Sequence, residues 1–467
     1  ADADRPPSTP PITPRANRAP AAAMDVSVMF PDKHLRKTEM LFVSFNQDFG
    51  CFACGTDTGF RIFNVDPFKE TFRRVFNGGG IGIVEMLFRC NLLAIVGGGR
   101  SPRYPPNKVM VWDDHQNRCI GELSFRSDVR AVKLRRDRVV VVLATKVYVY
   151  RFSDLKLLDQ INTQPNPRGL VALCPTPQHN VLACPGVNRG HARVELYDAR
   201  KSTVITAHES DLARLALSTD GALVATASDK GTLIRVFDSH SGAQLRELRR
   251  GVDRATVYSI VFDPEAKYLA CSSDKGTVHV FSLNADGSRA LRPGAPRPND
   301  RQPSGDAAPA NTKSNLSFLR KVVPGLASAY LESEWSFAQV RGLDAPTICA
   351  FGAQPNTIIS VGADGSFLVS RFAEGGECER IAYHKFIKSK EDEDFDKPPW
   401  EDPSTGMTPP PGHAAAHDRP SALPKVEPSG PLPEIPPEPR ALVPPPAPSA
   451  KPAEAADEAR TPARDEE

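Results

Sequence analysis

One short unit recurs seven times along the middle of this chain, and a repeat of that kind restricts the possible folds more than any other feature. The unit is a small or apolar strand, a turn carrying Gly or Asp, and an alternating strand that closes on an aromatic residue. It reads CFACGTDTGFRIFNV at 51–65, LLAIVGGG followed by KVMVWDD ending at Asp114, and VVVVLATKVYVYRF at 139–152. It returns as LACPGVNRGHARVELYD at 182–198, VATASDKGTLIRVFD at 224–238, LACSSDKGTVHVFSL at 269–283 and IISVGADGSFLVSRF at 358–372. The closing aromatics are Phe63, Trp112, Tyr150, Tyr197, Phe237, Phe281 and Phe372, at spacings of 49, 38, 47, 40, 44 and 91. The first five bracket the period of roughly 40–45 residues of a four-stranded propeller blade. The sixth is one period plus an insertion.

The expected fold is therefore all-β, a closed seven-bladed β-propeller of the WD40-like kind. A β-sandwich also gives many short strands, but not seven similar units at this period. A strand at 379–386 leaves the seventh blade to be completed by its own chain rather than by an N-terminal strand. The propeller is expected over 36–387, with a long blade-six loop at about 284–332. The ends are a different material: 1–35 is Pro/Ala-rich, and 388–467 holds many of the 45 prolines and no aromatic after Trp400. Such segments bury too little apolar surface to offset their ordering entropy, so both are expected to be disordered tails.

Net charge is +2 over 467 residues, which excludes a nucleic-acid binder acting through overall charge but leaves room for a local basic patch. No apolar run is long enough to cross a bilayer, and the first residues lack the apolar stretch of a secretory signal. The nine cysteines have no regular spacing. Cys51 and Cys54 form a C-x-x-C pair, but it has no second pair and sits in a strand, where i and i+3 face opposite sides. Buried free thiols of a cytoplasmic protein are the expectation, with no metal site and no cofactor.

The chemistry concentrates around blades five and six. Ser228-Asp229-Lys230-Gly231-Thr232 matches Ser273-Asp274-Lys275-Gly276-Thr277 position for position. Taken alone, each is a hairpin turn, with Asp to start it and Gly for positive φ. Between the copies, where the outermost strand of blade five should run, lies Leu248-Arg249-Arg250-Gly251. Successive side chains of a strand point to opposite faces, so the two arginines are expected in two different inter-blade clefts. One cleft would hold Ser228 and Thr232, with His208 and Arg235. The other would hold Ser273 and Thr277, with His279 and Arg254. An arginine fork, an imidazole and hydroxyls suit a phosphate monoester.

Here the sequence resembles the PROPPINs, β-propellers that bind polyphosphoinositides, and within them the autophagy-related protein 18 branch. Their Phe/Leu-Arg-Arg-Gly signature stands here as Leu248-Arg249-Arg250-Gly251, and SEWSFAQVRG at 333–342 is also family-like. The resemblance implies headgroup sites for phosphatidylinositol 3-phosphate and 3,5-bisphosphate. By family position, the first would use His208, Ser228, Thr232, Arg235 and Arg249. The second would use Arg250, Ser273, Thr277 and His279, with Arg254 and Ser259. Arg235 has no cationic counterpart in the second copy, where Val280 stands.

The resemblance also implies a membrane-touching loop in blade six, which is where the 91-residue spacing places the insertion. Leu316, Leu319, Val323, Leu326 and Tyr330 fall on one helical face, and Phe318 and Val322 add apolar surface. Pro324-Gly325 breaks a continuous helix there. As partners it implies a phosphoinositide-containing membrane (preautophagosomal, endosomal or vacuolar) and a lipid-transfer protein of the autophagy-related protein 2 type. That partner would meet loops of blades two and three, such as GGGRSPRYPPNK at 97–108. The competing reading is a WD40-type protein scaffold without lipid binding. No nucleophile elbow, P-loop or H-E-x-x-H points to an enzyme.

Overall fold

The computed structural model describes residues 24–25, 39–77, 79–283, 311–312, 334–373 and 375–387. Both proline-rich ends, and with them most of the blade-six insertion, lie outside the described residues. So do the apolar candidates Leu316, Phe318, Leu319, Val322, Val323, Leu326 and Tyr330.

Seven separate antiparallel sheets follow one another along the chain, each a meander running from an inner to an outer strand. They form the seven blades of a β-propeller. In every blade the repeat unit supplies the second and third strands. In blade one these are Cys51–Thr56 and Gly59–Asn64, paired from Cys51 opposite Asn64 to Thr56 opposite Gly59. Second strands such as Leu223–Ser228 in blade five are buried at every residue, because both faces pack on neighbouring blades. Outermost strands such as Lys69–Val75 alternate exposed and half-buried residues, as expected for one wet face. Apolar layers fill the spaces between blades. Cys51 and Cys54 are buried in two different layers, on opposite faces of blade one.

Blade seven closes the ring with its own outer strand, Cys378–Lys385. The two residues Met24–Asp25 instead pair with the inner strand of blade one, Met40–Phe45. The seam between first and last blades is thus held by packing. Phe52 stacks on Phe63 at 5.0 Å and on Phe367 at 5.8 Å, and Phe68 lies 4.5 Å from Phe367 and 4.4 Å from the His384 ring.

The insertion departs after blade six's third strand, Thr277–Ser282, and returns along the outside of blade five. Glu334–Trp335 adds there as a parallel fifth strand, Leu248 opposite Glu334 and Arg249 opposite Trp335. Only then does Ala338–Arg341 complete blade six. The buried Asn311 side chain accepts from the Ser282 amide at 2.7 Å and donates to the Ser282 carbonyl at 2.6 Å. Asn311→Ala leaves both backbone groups unmatched, so we expect a loss of about 2 kcal/mol in urea unfolding; an unchanged midpoint would show that Asn311 does not anchor the insertion.

Candidate functional site: two polar clefts on either side of blade five

Blade five's outer strand, Gln244–Arg249, ends on the two arginines. Its alternation sorts them. Leu248 packs in the layer shared with blade six, alongside Leu269, Cys271 and Phe281. Arg250 leaves on that same side: burial lowers its guanidinium from its usual range, opposed by Cys271 and Asp274 of blade six and by Asp253. Its amide donates to the Thr232 carbonyl at 2.9 Å and its Nε to the Gly231 carbonyl at 2.7 Å. It also donates to the Asp253 carbonyl. Arg249 lies on the opposite face with Glu247, which pairs directly with Arg235. That face looks toward blade four, since Arg235 donates to the Ala207 carbonyl at 2.7 Å. Two successive arginines therefore enter two clefts, and both are largely buried.

The cleft between blades four and five brings His208, Ser228, Arg235 and Arg249 to one side. His208 Nε2 lies 2.9 Å from the Thr226 hydroxyl. Burial, reinforced by the Arg235 guanidinium, pushes its imidazole down to about 4. Arg235 donates to Glu247 Oε2 at 2.9 Å. The cleft between blades five and six gathers Arg250, Ser273, Thr277 and His279. His279 Nδ1 sits 3.0 Å from the Ser336 hydroxyl, and burial followed by Arg250 and Arg341 pushes its imidazole down to about 4 as well. The Ser273 hydroxyl is buried with no hydrogen-bond partner among the described residues. A buried polar group left unmatched by the protein is a place where an anionic oxygen would be welcome.

Three expectations change. Arg254 is exposed and donates to Asp229 of blade five at 3.0 Å, so it guards the turn rather than joining His279. Ser259 faces away from the cleft: its hydroxyl contacts Ser272 and accepts from the Cys349 amide of blade seven at 3.0 Å. The matched turns are also not matched in register. Thr226 lies opposite Arg235 and Cys271 opposite His279, so the ladder counterpart of Arg235 is His279 rather than Val280, a ring that can take up a proton in place of a fixed charge. Blade five carries one more residue between the turn and the strand. Leu233 therefore takes the ladder place of Thr277, and Thr232 stays on the turn.

Arg341 was missed by the sequence reading. It lies across the ladder from Thr277, on the blade-five side, because its neighbours Ala338 and Val340 pack toward blade seven. The available signal was the final Arg-Gly of SEWSFAQVRG, which shortens Leu-Arg-Arg-Gly by one arginine.

Both imidazoles are neutral near pH 7 in the bare clefts. A phosphate dianion beside them favours the protonated ring, so binding should take up protons and tighten as pH falls from 7.5 toward 6. Below about pH 6 the phosphate itself begins to protonate and the gain fades. We expect a few-fold tightening and a calorimetric heat that varies with the buffer's ionisation enthalpy. Binding that is flat in pH and free of proton uptake would rule out both histidines.

Comparison with known proteins finds relatives of one family and propellers of the same fold. The PROPPIN family model matches residues 40–298. Autophagy-related protein 18e of Arabidopsis thaliana is 41% identical over 362 residues, covering 76% of this chain and 89% of the plant protein. Autophagy-related protein 18 of Dictyostelium discoideum is 35% identical over 346 residues, covering 73% and 91%. Among solved structures, Hsv2 of Kluyveromyces marxianus superposes with a TM-score of 0.57 at 22% identity, over 75% of this chain and 99% of its own. Atg21, solved in complex with the coiled coil of Atg16, gives 0.58 at 24%, over 74% and 99%.

Proposed function

The chain belongs to the PROPPIN family, and from that premise we propose that it reads phosphatidylinositol 3-phosphate and 3,5-bisphosphate, one headgroup in each cleft beside blade five. Family membership makes it an autophagy-related, phosphoinositide-binding propeller; the choice of lipids and the two-cleft assignment are our reading. The observation that carries it is the divergence of Arg249 and Arg250 into separate clefts, each lined with a hydroxyl and an imidazole. Guanidinium forks offer paired, charge-assisted donors to a phosphate, and serine and threonine hydroxyls satisfy its remaining oxygens.

Two clefts on one rim act jointly. The second contact is intramolecular once the first is made, so avidity exceeds either affinity by about 10²–10⁴. The protein acts by binding rather than by catalysis, as a peripheral protein of autophagic, endosomal or vacuolar membranes. The apolar residues of the blade-six insertion are proposed to enter the bilayer beside the clefts, giving the second signal that stable attachment needs.

A lipid-transfer protein of the autophagy-related protein 2 type is the proposed partner of the blade-two loop at 97–108. Support comes from how that loop is built. Gly97 closes against the Tyr104 carbonyl so tightly that an added Cβ would stand 1.7 Å from that oxygen. The Arg103 guanidinium lies over the Phe76 and Tyr104 rings. The loop is therefore a fixed shape with Arg100 and Ser101 exposed at its tip.

Vesicle co-sedimentation tests the reading. Pelleting should require phosphatidylinositol 3-phosphate or 3,5-bisphosphate in the vesicle. A folded protein that pellets equally with and without these lipids, or not at all, would leave a protein-binding scaffold instead.

A further inference from the structure

Register makes the two clefts comparable residue by residue, and at one position they differ in charge. In blade five Arg235 lies opposite Glu247 and Leu233 opposite Arg249. In blade six His279 lies opposite Gln339 and Thr277 opposite Arg341. Arg341 is thus the blade-six counterpart of Arg249, and Gln339 the counterpart of Glu247. All four sit on the cleft side of their strands, since the intervening residues Leu248 and Val340 pack into the apolar layers on the other side.

The consequences are electrostatic. In the first cleft the Glu247 carboxylate holds Arg235 at 2.9 Å, with both side chains mostly buried. A phosphate must share that guanidinium with an anion already in place. In the second cleft the corresponding partner is neutral. The Gln339 carbonyl accepts from Arg341 Nε at 3.1 Å and from a second guanidinium nitrogen at 2.8 Å, and it carries no charge to compete. The first cleft sets Arg235 and Arg249 against Glu247, its turn aspartate Asp229 being paired with Arg254, and the second sets Arg250 and Arg341 against Asp274 and Asp253. Glu247 is the carboxylate that pairs directly with a cleft arginine, and its counterpart in the second cleft, Gln339, is neutral.

We propose that the clefts are unequal phosphate sites: the one between blades five and six, with Arg341 as a further phosphate-binding residue, is the tighter and takes the more highly phosphorylated inositol ring, while Glu247 limits the other to a single phosphate. Like-charge repulsion within a site is an efficient way to reject a second phosphate without losing the first. Arg341 is exposed at the cleft mouth, where a second phosphate on the ring would meet it. The inference rests on the two-cleft reading above, and it assigns distinct tasks to clefts that the sequence presents as duplicates.

The test is titration calorimetry of the full-length protein with soluble headgroups, which have no acyl chains and so report the clefts without the bilayer. Inositol 1,3-bisphosphate and inositol 1,3,5-trisphosphate carry the one or two ring phosphates beyond the bridging one, and inorganic phosphate serves as the control. Wild type should show two classes of site for the trisphosphate. Arg341→Gln should weaken the tight class about tenfold for the trisphosphate and less for the bisphosphate, in keeping with the loss of one charge-assisted contact. Glu247→Gln should strengthen the weak class about three- to tenfold and bring the two classes together. Glu247→Gln is isosteric and Arg341→Gln shortens an exposed side chain, and matched thermal unfolding confirms the fold. Two equal classes in wild type, or unchanged affinities in Arg341→Gln, would overturn the inequality while leaving the lipid-reading function intact. No binding of either headgroup, or binding no tighter than inorganic phosphate, would instead overturn the function itself.

Discussion

The double substitution Arg249→Thr/Arg250→Thr should reduce binding to vesicles carrying phosphatidylinositol 3-phosphate by at least about 100-fold. The losses from the two clefts add in free energy and multiply in affinity. Each arginine contributes charge-assisted hydrogen bonds worth about 1.5–3 kcal/mol to a different cleft. Every 1.4 kcal/mol is a factor of ten, so losing one from each cleft costs about two to four powers of ten before avidity is counted. Single substitutions should cost less than the double one, because the intact cleft still holds one headgroup and the altered cleft keeps part of its contact. Each arginine is buried, so folding must be checked. Threonine keeps a donor, and the Arg250 backbone amide, which continues the ladder to Thr232, is retained. Soluble headgroup binding by each single variant separates the clefts: Arg249→Thr should remove the weaker class and Arg250→Thr the tighter one. Full vesicle binding by a folded double variant would refute the headgroup reading.

The fold was legible because its repeat is local. Each blade carries a strand, a turn and a strand within about fifteen residues, so periodicity and turn chemistry suffice to find it. The sorting of Arg249 from Arg250 was legible for the same reason, since alternation along a strand is a rule of two residues. What escaped was register. The identical Ser-Asp-Lys-Gly-Thr turns suggested that everything after them was aligned, but blade five inserts one residue before its strand. Only the pairing of Thr226 with Arg235, against Cys271 with His279, reveals the shift. A one-residue slip moves every later side chain to the other face. That is why Val280 looked like the partner of Arg235. Arg341 escaped for a different reason: it reaches Thr277 across the whole insertion, and no local pattern in the sequence measures that distance. Ser259 illustrates the same limit, because the face it takes is set by the irregular pairing at Val257 and Ser259 at the start of blade six.

Ring closure supplies the second large effect. In many closed rings a strand from one chain end would be shared with the other; here blade seven is complete in itself, and Met24–Asp25 joins blade one. Among the described residues no ladder crosses the seam, and the apolar layer between blades one and seven spans it. Phe52 is at the centre of that layer, fully buried and in ring contact with Phe45, Phe63, Phe367 and Phe386. Phe52→Ala removes the shared partner of residues from both blades, and a large-to-small change of a buried phenylalanine costs about 3–5 kcal/mol. For a domain of this size that corresponds to a fall in melting temperature of roughly 4–7 °C. The loss should be felt first at the seam, so amide exchange should rise in Thr357–Gly362, Ser366–Phe372 and Cys51–Thr56 before it rises in blades three to five. Headgroup affinity at temperatures well below melting should be unchanged, because both clefts lie beside blade five, away from the seam. A melting temperature within about 1 °C of wild type would mean that the seam is held by something other than this aromatic stack. Uniform exchange around the ring would mean instead that the propeller opens as one cooperative unit rather than at the junction of its ends.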